Sequence, residues 1–499
     1  MRKLKALVRA ANTIMNAMDA GEMPIRSPVI IWHLILHAGV LIWSSMKVLF
    51  LSVNNEKDPY PVAPIGVALV AKALRKNHHD VRILDLCFVE DDYSFIEASV
   101  KDFAPDIIGL SIRNIDNLTY KRSIFYMPRL RRITDFIKSK TSVPIVAGGS
   151  GFSIFPEEVL KYLEIEVGIM GEGETACTQF VDAINNDNSF DGIQNLCYIR
   201  DGKFNANNIV FNSVHYYPER SLLNNRLYLE LGGMGNIQSK RGCPFKCSYC
   251  TYPNIEGNTL RLRSPVDVVE ELKEMRSLYG IDYVFFVDDI FNFPEDHAAL
   301  LCEEIIRNDL KINWTCFVTP KGMTRQLAEL MKMSGCKGVE FGSDAGSEKT
   351  LKGLGKHFTP DDIAHAVECC KVIDLPNAHY IIIGGPEEDY STLRETILLF
   401  EKLKPTAIIS LLGIRIYPKT HLHYRAIKEG IIEKERNLLE PVFYLSPALE
   451  SENLLQYVSD YARGHQNWIV PGLNIRCDSN LMALLRKMGN KGPLWNMIS

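Results

Sequence analysis

The order of apolar and polar positions along the chain predicts two series of strands and helices. From Met46 to about Met170, five short apolar strands alternate with helices, the first of which begins near Pro64. A second series, from about Tyr228 to Gly430, contains six strand–helix units. Continuous apolar strands between helices are typical of parallel sheets covered on both faces. The sequence therefore predicts an α/β protein with two parallel-sheet domains.

The same pattern sets the expected domain boundaries. We expect an N-terminal extension of unknown role (1–45), a Rossmann-like doubly wound domain (46–187), an Asn- and Ser-rich linker (188–226), a partial (β/α)6 barrel (227–434) and a small, mostly helical C-terminal region (435–499). The extension contains an apolar run, Val29 to Trp43, that is shorter than the roughly twenty residues a membrane span requires. We therefore expect no association with a membrane.

Composition and charge narrow the function classes. The chain has 499 residues and a formal net charge of −4, whereas nucleic-acid binders usually carry a basic surplus. Its twelve cysteines are irregularly spaced, unlike the disulfide framework of a small secreted protein. We expect a cytoplasmic protein that binds no nucleic acid.

Three of the cysteines carry the clearest chemical signal. Cys243, Cys247 and Cys250 form a C-x3-C-x2-C loop just after the first barrel strand, with Gly242 and Pro244 favouring a tight turn. Thiolates hold [4Fe–4S] clusters, and three of them leave the fourth iron open to another ligand. The alternative, a zinc loop, normally uses four ligands in paired C-x2-C spacings, and no second pair lies nearby. The spacing favours an iron–sulfur cluster as the metal centre.

This loop resembles the motif of the radical S-adenosylmethionine (SAM) superfamily, with Tyr249 as the aromatic residue before the third cysteine. The resemblance covers about residues 228–430 and implies that SAM binds the open iron. It also implies SAM-binding positions after successive barrel strands, namely Asp288 (beside Asp289), Ser343, Asp344, Gly384, Gly385 and Arg415. The glycines of the family's glycine-glycine-glutamate motif are missing before Asp288.

Glycines also follow two strands of the first domain. Gly148 and Gly149 end the fourth strand, and Gly171, Glu172 and Gly173 end the fifth. Open parallel sheets bind ligands beyond the carboxyl ends of their strands, and glycine lets a large ligand approach the backbone. Ordinary turns would use the same residues, so the glycines alone leave both interpretations open.

The placement of this domain before the barrel resembles the cobalamin-binding domain of B12-dependent radical SAM enzymes. The resemblance implies a cobalamin cofactor, with Ser111 and Arg113 near the lower face of its corrin ring. Many such domains carry a cobalt-ligating histidine after the first strand, but residues 54–64 contain none. We therefore expect base-off cobalamin without a histidine ligand, and hypothesise that Arg113 approaches the cobalt from below.

The whole arrangement resembles the class B radical SAM methyltransferases. The resemblance implies methylation of a carbon in a small molecule or peptide through methylcobalamin, with a reductant such as flavodoxin or ferredoxin. Ser111–Asn114 and Gly492–Trp495 resemble the tryptophan C-methyltransferase branch. Two alternatives stay open: a cobalamin-dependent rearrangement or cyclisation without methyl transfer, and a non-catalytic B12 or redox sensor.

Overall fold

The computed structural model describes residues 45–186, 189–212, 217–449 and 451–497. The expected N-terminal extension and its apolar run lie outside these residues. From Met46 onward the chain forms one compact unit that contains both predicted sheets. Within the described residues, no helix is long and apolar enough to cross a membrane.

The first sheet has seven strands in the order β2-β1-β3-β4-β5-β6-β7. Its strands are β1 (Lys47–Ser52), β2 (Asp80–Asp85), β3 (Ile107–Ser111), β4 (Ile145–Gly148), β5 (Val167–Ile169), β6 (Leu196–Arg200) and β7 (Lys203–Ala206). The first five are parallel, as predicted, and the order reverses at β1, which is where doubly wound sheets bind ligands. The antiparallel hairpin β6–β7 extends this sheet from a stretch that was expected to be a linker.

Helices cover both faces of the first sheet. They are α1 (Ile65–Lys76), α2 (Asp92–Phe103), α3 (Met127–Lys140), α4 (Ser150–Ile154), α5 (Pro156–Leu163) and α6 (Glu174–Asn185). On one face Val67 and Leu74 of α1 pack with Phe180 of α6, and on the other Ile133 of α3 packs with Leu160 of α5. The buried apolar strands between these layers fix the carboxyl ends of β1 and β3–β5 at one edge.

The second sheet is an open partial barrel with the strand order β18-β15-β14-β13-β12-β11-β8, all parallel. Its strands are β8 (Gly235–Ile237), β11 (Tyr283–Phe286), β12 (Asn313–Val318), β13 (Cys336–Asp344), β14 (Asn377–Ile383), β15 (Ala407–Leu412) and β18 (Trp468–Ile469). The first six were predicted. The seventh, β18, comes from the region expected to hold only helices and loops. Two short antiparallel pairs lie outside the sheet: β9 (Lys240–Arg241) with β10 (Arg261–Leu262), and β16 (Ile414–Arg415) with β17 (Phe443–Tyr444).

Helices follow the barrel strands and continue to the end of the chain. They are α7 (Asn225–Gly232), α8 (Tyr252–Ile255), α9 (Pro265–Tyr279), α10 (Glu295–Arg307), α11 (Arg325–Met333), α12 (Glu348–Gly353), α13 (Pro360–Val372), α14 (Tyr390–Leu403), α15 (His421–Lys428), α16 (Ser451–Gly464) and α17 (Ser479–Lys487). Short 3-10 turns occur at Leu86–Phe88, Arg220–Leu222, Pro471–Leu473 and Leu494–Met497. Trp314, Cys316 and Val339 face this helical layer, so their neighbours in the strands face the barrel interior.

Candidate functional site

The cysteine loop is held in a tight path by the chain around it. Gly242, with φ +85°, lies so close to Thr259 that a Cβ would sit 2.3 Å from its carbonyl oxygen. The Ser248 amide donates to the Leu354 carbonyl at 2.8 Å, and the Ser248 carbonyl accepts from the Leu422 amide at 2.8 Å. These contacts tie the loop to the segments that follow β13 and begin α15.

Burial keeps the three thiols protonated when no metal is bound. It raises the pKa of Cys243 to about 11 and that of Cys250 to about 12, and it also raises the pKa of Cys247. The described residues hold no group of three side chains that converges on one metal ion. A cubane does not require such convergence, because each thiolate binds a different iron.

A buried cation lies beside this loop. The Lys356 ammonium is 3.8 Å from the Cys247 Sγ and 2.7 Å from Asp344 Oδ2. The Tyr249 hydroxyl donates to the same Asp344 oxygen at 2.5 Å. Burial alone would lower the pKa of Lys356, but Asp344 together with Cys247 and Cys250 outweighs it and raises that pKa to about 12. The thiols therefore lie next to a permanent positive charge.

Two adjacent aspartates after β11 have different roles. Asp288 is fully buried and accepts hydrogen bonds from the Ser239 amide at 2.6 Å and the Lys240 amide at 3.2 Å, as well as from the Ser239 hydroxyl. Both carboxylate oxygens of Asp289 are buried without a hydrogen-bond partner among the described residues. Burial, Glu256 and Asp288 together raise the pKa of Asp289. The carboxylate left available for a ligand is thus that of Asp289, whereas Asp288 fixes the turn before the cysteine loop.

A cavity of about 330 Å³ lies between the carboxyl ends of the first sheet and the cysteine loop. Every first-domain site residue predicted from the sequence lines it: Ser111, Arg113, Gly148, Gly149, Gly171, Glu172 and Gly173. At Gly149, φ is +105° and a Cβ would sit 2.5 Å from the Ile112 carbonyl oxygen, so glycine is required there. The opposite wall comes from the barrel domain, through Gln238, Tyr252 and Glu256.

Ion pairs join the two walls of this cavity. Arg241, immediately before Gly242, pairs with Glu174 at 2.6 Å and with Glu172 at 3.3 Å. Glu172 also pairs with Arg261. All four charged side chains are at most about one-tenth exposed. The predicted Gly-Glu-Gly-Glu turn therefore docks onto the strand that leads into the cysteine loop.

Comparison with known proteins decides the family. Residues 237–400 match the radical SAM superfamily model, and residues 51–181 match the B12 binding domain model. The chain is 30% identical over 356 residues to an uncharacterized methyltransferase of Pyrococcus horikoshii, covering 68% of this chain and 73% of that protein. This chain belongs to the cobalamin-dependent radical SAM methyltransferases.

Two further relatives of this family show how far the similarity extends. A tryptophan 2-C-methyltransferase of Streptomyces laurentii is 24% identical over 439 residues, which covers 73% of this chain and 72% of that one. The structure of the radical SAM methyltransferase TsrM from Kitasatospora setae, with cobalamin and a [4Fe–4S] cluster bound, superimposes with a TM-score of 0.82. It is 22% identical and covers 91% of this chain and 97% of that chain, which shows a shared fold.

The cofactors that these domains imply fit the residues present. The radical SAM domain implies a [4Fe–4S] cluster and SAM, and the B12-binding domain implies cobalamin. Three thiols in one loop lie beside the partnerless carboxylate of Asp289, which suits a cationic group on a ligand of the cluster. The cavity, with glycine backbone on one wall and the exposed Arg113 at its edge, suits a large flat cofactor.

Two of the residues predicted to bind SAM, Ser343 and Arg415, form hydrogen bonds within the chain. Ser343 is fully buried, and its hydroxyl lies 2.7 Å from Nδ1 of His379 on the neighbouring strand. Ser343 follows Val339 and Phe341 at two-residue spacing in β13, and both of those residues face the helical layer, so Ser343 points away from the barrel interior. Its contact with SAM stays a prediction, whereas Asp344 does lie at the cysteine loop.

Arg415 is the second of these residues. Its Nε donates to Asp116 of the first domain at 3.0 Å, and its Nη atoms donate to the carbonyls of Ile416, Leu438 and Leu439. The side chain is buried. Arg415 thus links the two domains through its ion pair with Asp116, and its guanidinium nitrogens all donate to groups within the chain.

The glycines after β14 contact the chain itself. Both the Gly384 and the Gly385 amide donate to one oxygen of Glu388. Gly384 has φ +97°, and a Cβ there would sit 2.2 Å from the Leu445 side chain. The two glycines therefore form a turn whose amides are already paired with Glu388. These hydrogen bonds do not support the prediction that the same backbone binds SAM.

The sequence did not indicate the cavity residues Tyr252 and Glu256. Both follow Cys250 closely in the chain, and burial raises the pKa of each. The Glu256 carboxylate accepts from the Gly242 amide and from the Gln238 side chain. Their short distance from the cysteine motif in the sequence could have suggested a role at the site. Their position in the cavity wall, however, depends on how the two domains pack.

Proposed function

We propose that this chain transfers a methyl group from SAM to a carbon atom of a small-molecule substrate, with cobalamin as the carrier. The observation that carries this proposal is the shared wall between the cysteine loop and the glycine-lined cavity. Tyr252 and Glu256 line that cavity, and they lie two and six residues after the third cysteine of the loop. Cofactors held at the two sites would face each other across this wall.

Different residues of the chain serve the cluster and SAM site and the cobalamin site. Cys243, Cys247 and Cys250 hold the cluster, and Asp289 accepts the SAM amino group. Lys356 neutralises part of the thiolate charge. When bound, the cluster supplies an electron to SAM and cobalamin carries the methyl group. Because residues of both domains line the cavity, the protein orients the two cofactors relative to each other.

Arg113 is the residue that we assign to the lower face of the corrin ring. It is exposed at the cavity edge beside Ser111 and Ser150, and its backbone carbonyl accepts from the Ser150 hydroxyl at 3.1 Å. No histidine occurs in residues 54–64, so no imidazole ligand comes from that loop. With cobalamin bound in the cavity, the cationic Arg113 side chain would disfavour a further ligand on the cobalt and would make the methyl group that the cofactor carries more electrophilic.

A small molecule is the substrate class that we favour over a peptide. A relative of 24% identity is named for methylating tryptophan. An external one-electron donor such as flavodoxin or ferredoxin would reduce the cluster.

The test is anaerobic reconstitution with iron, sulfide and cobalamin, followed by analysis of the products of SAM. Methyl transfer predicts S-adenosylhomocysteine together with a substrate that is heavier by one methyl group. 5′-Deoxyadenosine without S-adenosylhomocysteine would indicate a rearrangement or cyclisation instead. Cofactor binding without any SAM cleavage would indicate a sensor. The matched control is the variant in which Cys243, Cys247 and Cys250 are all alanine.

A further inference from the structure

The interior of the barrel contains apolar side chains that the chain itself does not cover. Phe317 on β12 and Leu411 on β15 are each 38% exposed. Phe285 packs edge-on against Phe317 with ring centroids 4.9 Å apart, and Tyr380 lies 6.1 Å from the same ring. Val287, two residues beyond Phe285, lines the cofactor cavity. An apolar wall therefore runs from that cavity into the barrel.

The floor of the barrel holds a buried cation with unused donors. Arg486 of α17 is only 5% exposed, and its Nη1 donates to the Asn490 carbonyl at 2.9 Å. Its Nε and Nη2 are buried with no hydrogen-bond partner among the described residues. The missing side chain of Gly233 makes room for the guanidinium, since a Cβ there would sit 2.2 Å from Nη1. A buried guanidinium whose Nε and Nη2 donors are unpaired is costly, so an acceptor from outside the chain is expected.

Two phenols stand beside this cation. The Tyr60 ring faces the guanidinium at 5.7 Å, and the Tyr283 hydroxyl is buried without a partner among the described residues. Burial raises the pKa of both phenols, so both stay protonated and can donate a hydrogen bond to an anion. Both also lie within electrostatic range of Glu340, whose pKa burial raises to about 7 and which accepts from the Trp495 indole at 2.8 Å. The floor therefore combines donors for an anion with a buried acid.

We propose that Arg486, with Tyr283, binds the carboxylate of an aromatic amino acid or a similar flat apolar acid whose body lies along Phe285 and Phe317. Glu340 faces the side of the head group where an ammonium would lie. This places the apolar end of the substrate toward the cofactor cavity. The inference rests on the proposed function, because it assigns the substrate class of the same site.

The test is calorimetric titration of the reconstituted holoenzyme with L-tryptophan, indole-3-propionate and tryptamine, which lacks the carboxylate. Arg486→Met should weaken binding of the two carboxylates by about 10- to 100-fold and leave tryptamine unchanged, as expected for loss of charged hydrogen bonds. Arg486→Lys should recover part of the affinity. Lys487→Met, which removes an exposed cation from the same helix, should bind all three probes as the parent does.

Three results would overturn the proposal. They are equal carboxylate affinity in parent and Arg486→Met, an equal loss for tryptamine, and no binding of either carboxylate to the parent. Cobalamin absorbance and the EPR signal of the cluster are recorded on each variant to confirm that the fold is intact. Formation of S-adenosylhomocysteine with some other substrate would leave the proposed function standing while this inference failed.

Discussion

Replacing Lys356 by methionine should make the iron–sulfur cluster harder to reduce. The ammonium lies 3.8 Å from the Cys247 Sγ and is almost completely buried. At an effective dielectric constant of about 20, a unit charge at that distance contributes about 4 kcal/mol. This corresponds to roughly 190 mV for a one-electron couple. Because Asp344 offsets part of the field, we expect a fall in midpoint potential on the order of 50–150 mV.

The assay is an EPR-monitored redox titration of the reconstituted protein. Lys352→Met is the matched control, because Lys352 is exposed one helical turn earlier and should leave the potential unchanged. Asp344→Asn removes the opposing negative charge and should shift the potential upward. Changes of opposite sign in the two variants distinguish an electrostatic effect from general damage to the site. A potential that is unchanged or higher in Lys356→Met would refute the reasoning.

Three further variants test the other assignments. Asp289→Asn removes a charged acceptor and should weaken SAM binding by about 10- to 100-fold in equilibrium dialysis. Asp296→Asn, at an exposed helical position, should bind SAM as the parent does. Equal SAM affinities of the parent and Asp289→Asn would contradict the role of Asp289. Arg113→Ala should change the absorbance spectrum of bound cobalamin and slow methyl transfer, and an unchanged spectrum with unchanged activity would count against the lower-face assignment. Arg415→Met breaks a buried interdomain ion pair, so it should lower the free energy of unfolding by about 3–5 kcal/mol in denaturant titrations. The affinity for SAM should change little. Lost SAM affinity without lost stability would support the original prediction that Arg415 binds SAM.

Local patterns in the sequence predicted the features that depend on local chemistry. The spacing of Cys243, Cys247 and Cys250 predicted an iron–sulfur cofactor, which the radical SAM domain also implies, without knowledge of the fold. The rule that parallel strands bind ligands at their carboxyl ends correctly brought Gly149 and Gly171 to one cavity. Both predictions rest on residues close together in the chain or on a general property of parallel sheets.

The contacts that local patterns could not predict join distant segments. Arg415 was predicted to bind SAM because it follows a barrel strand, and its ion-pair partner Asp116, 299 residues away, could not be read from the sequence. The hydrogen bond between Ser343 and His379 likewise depends on how β13 and β14 pair. The environment of Arg486 is built from Gly233 and Tyr60, which lie far from it in sequence.

The most direct test of the account is Mössbauer and EPR spectroscopy of the anaerobically reconstituted protein before and after SAM is added. We predict a [4Fe–4S] cluster in which one iron differs from the other three, and an EPR signal that changes when SAM binds. The signal should disappear when Cys243, Cys247 and Cys250 are all replaced by alanine. A cluster that survives this replacement, or a signal that SAM does not alter, would contradict the claim that these three thiols hold a cluster with one iron open to SAM.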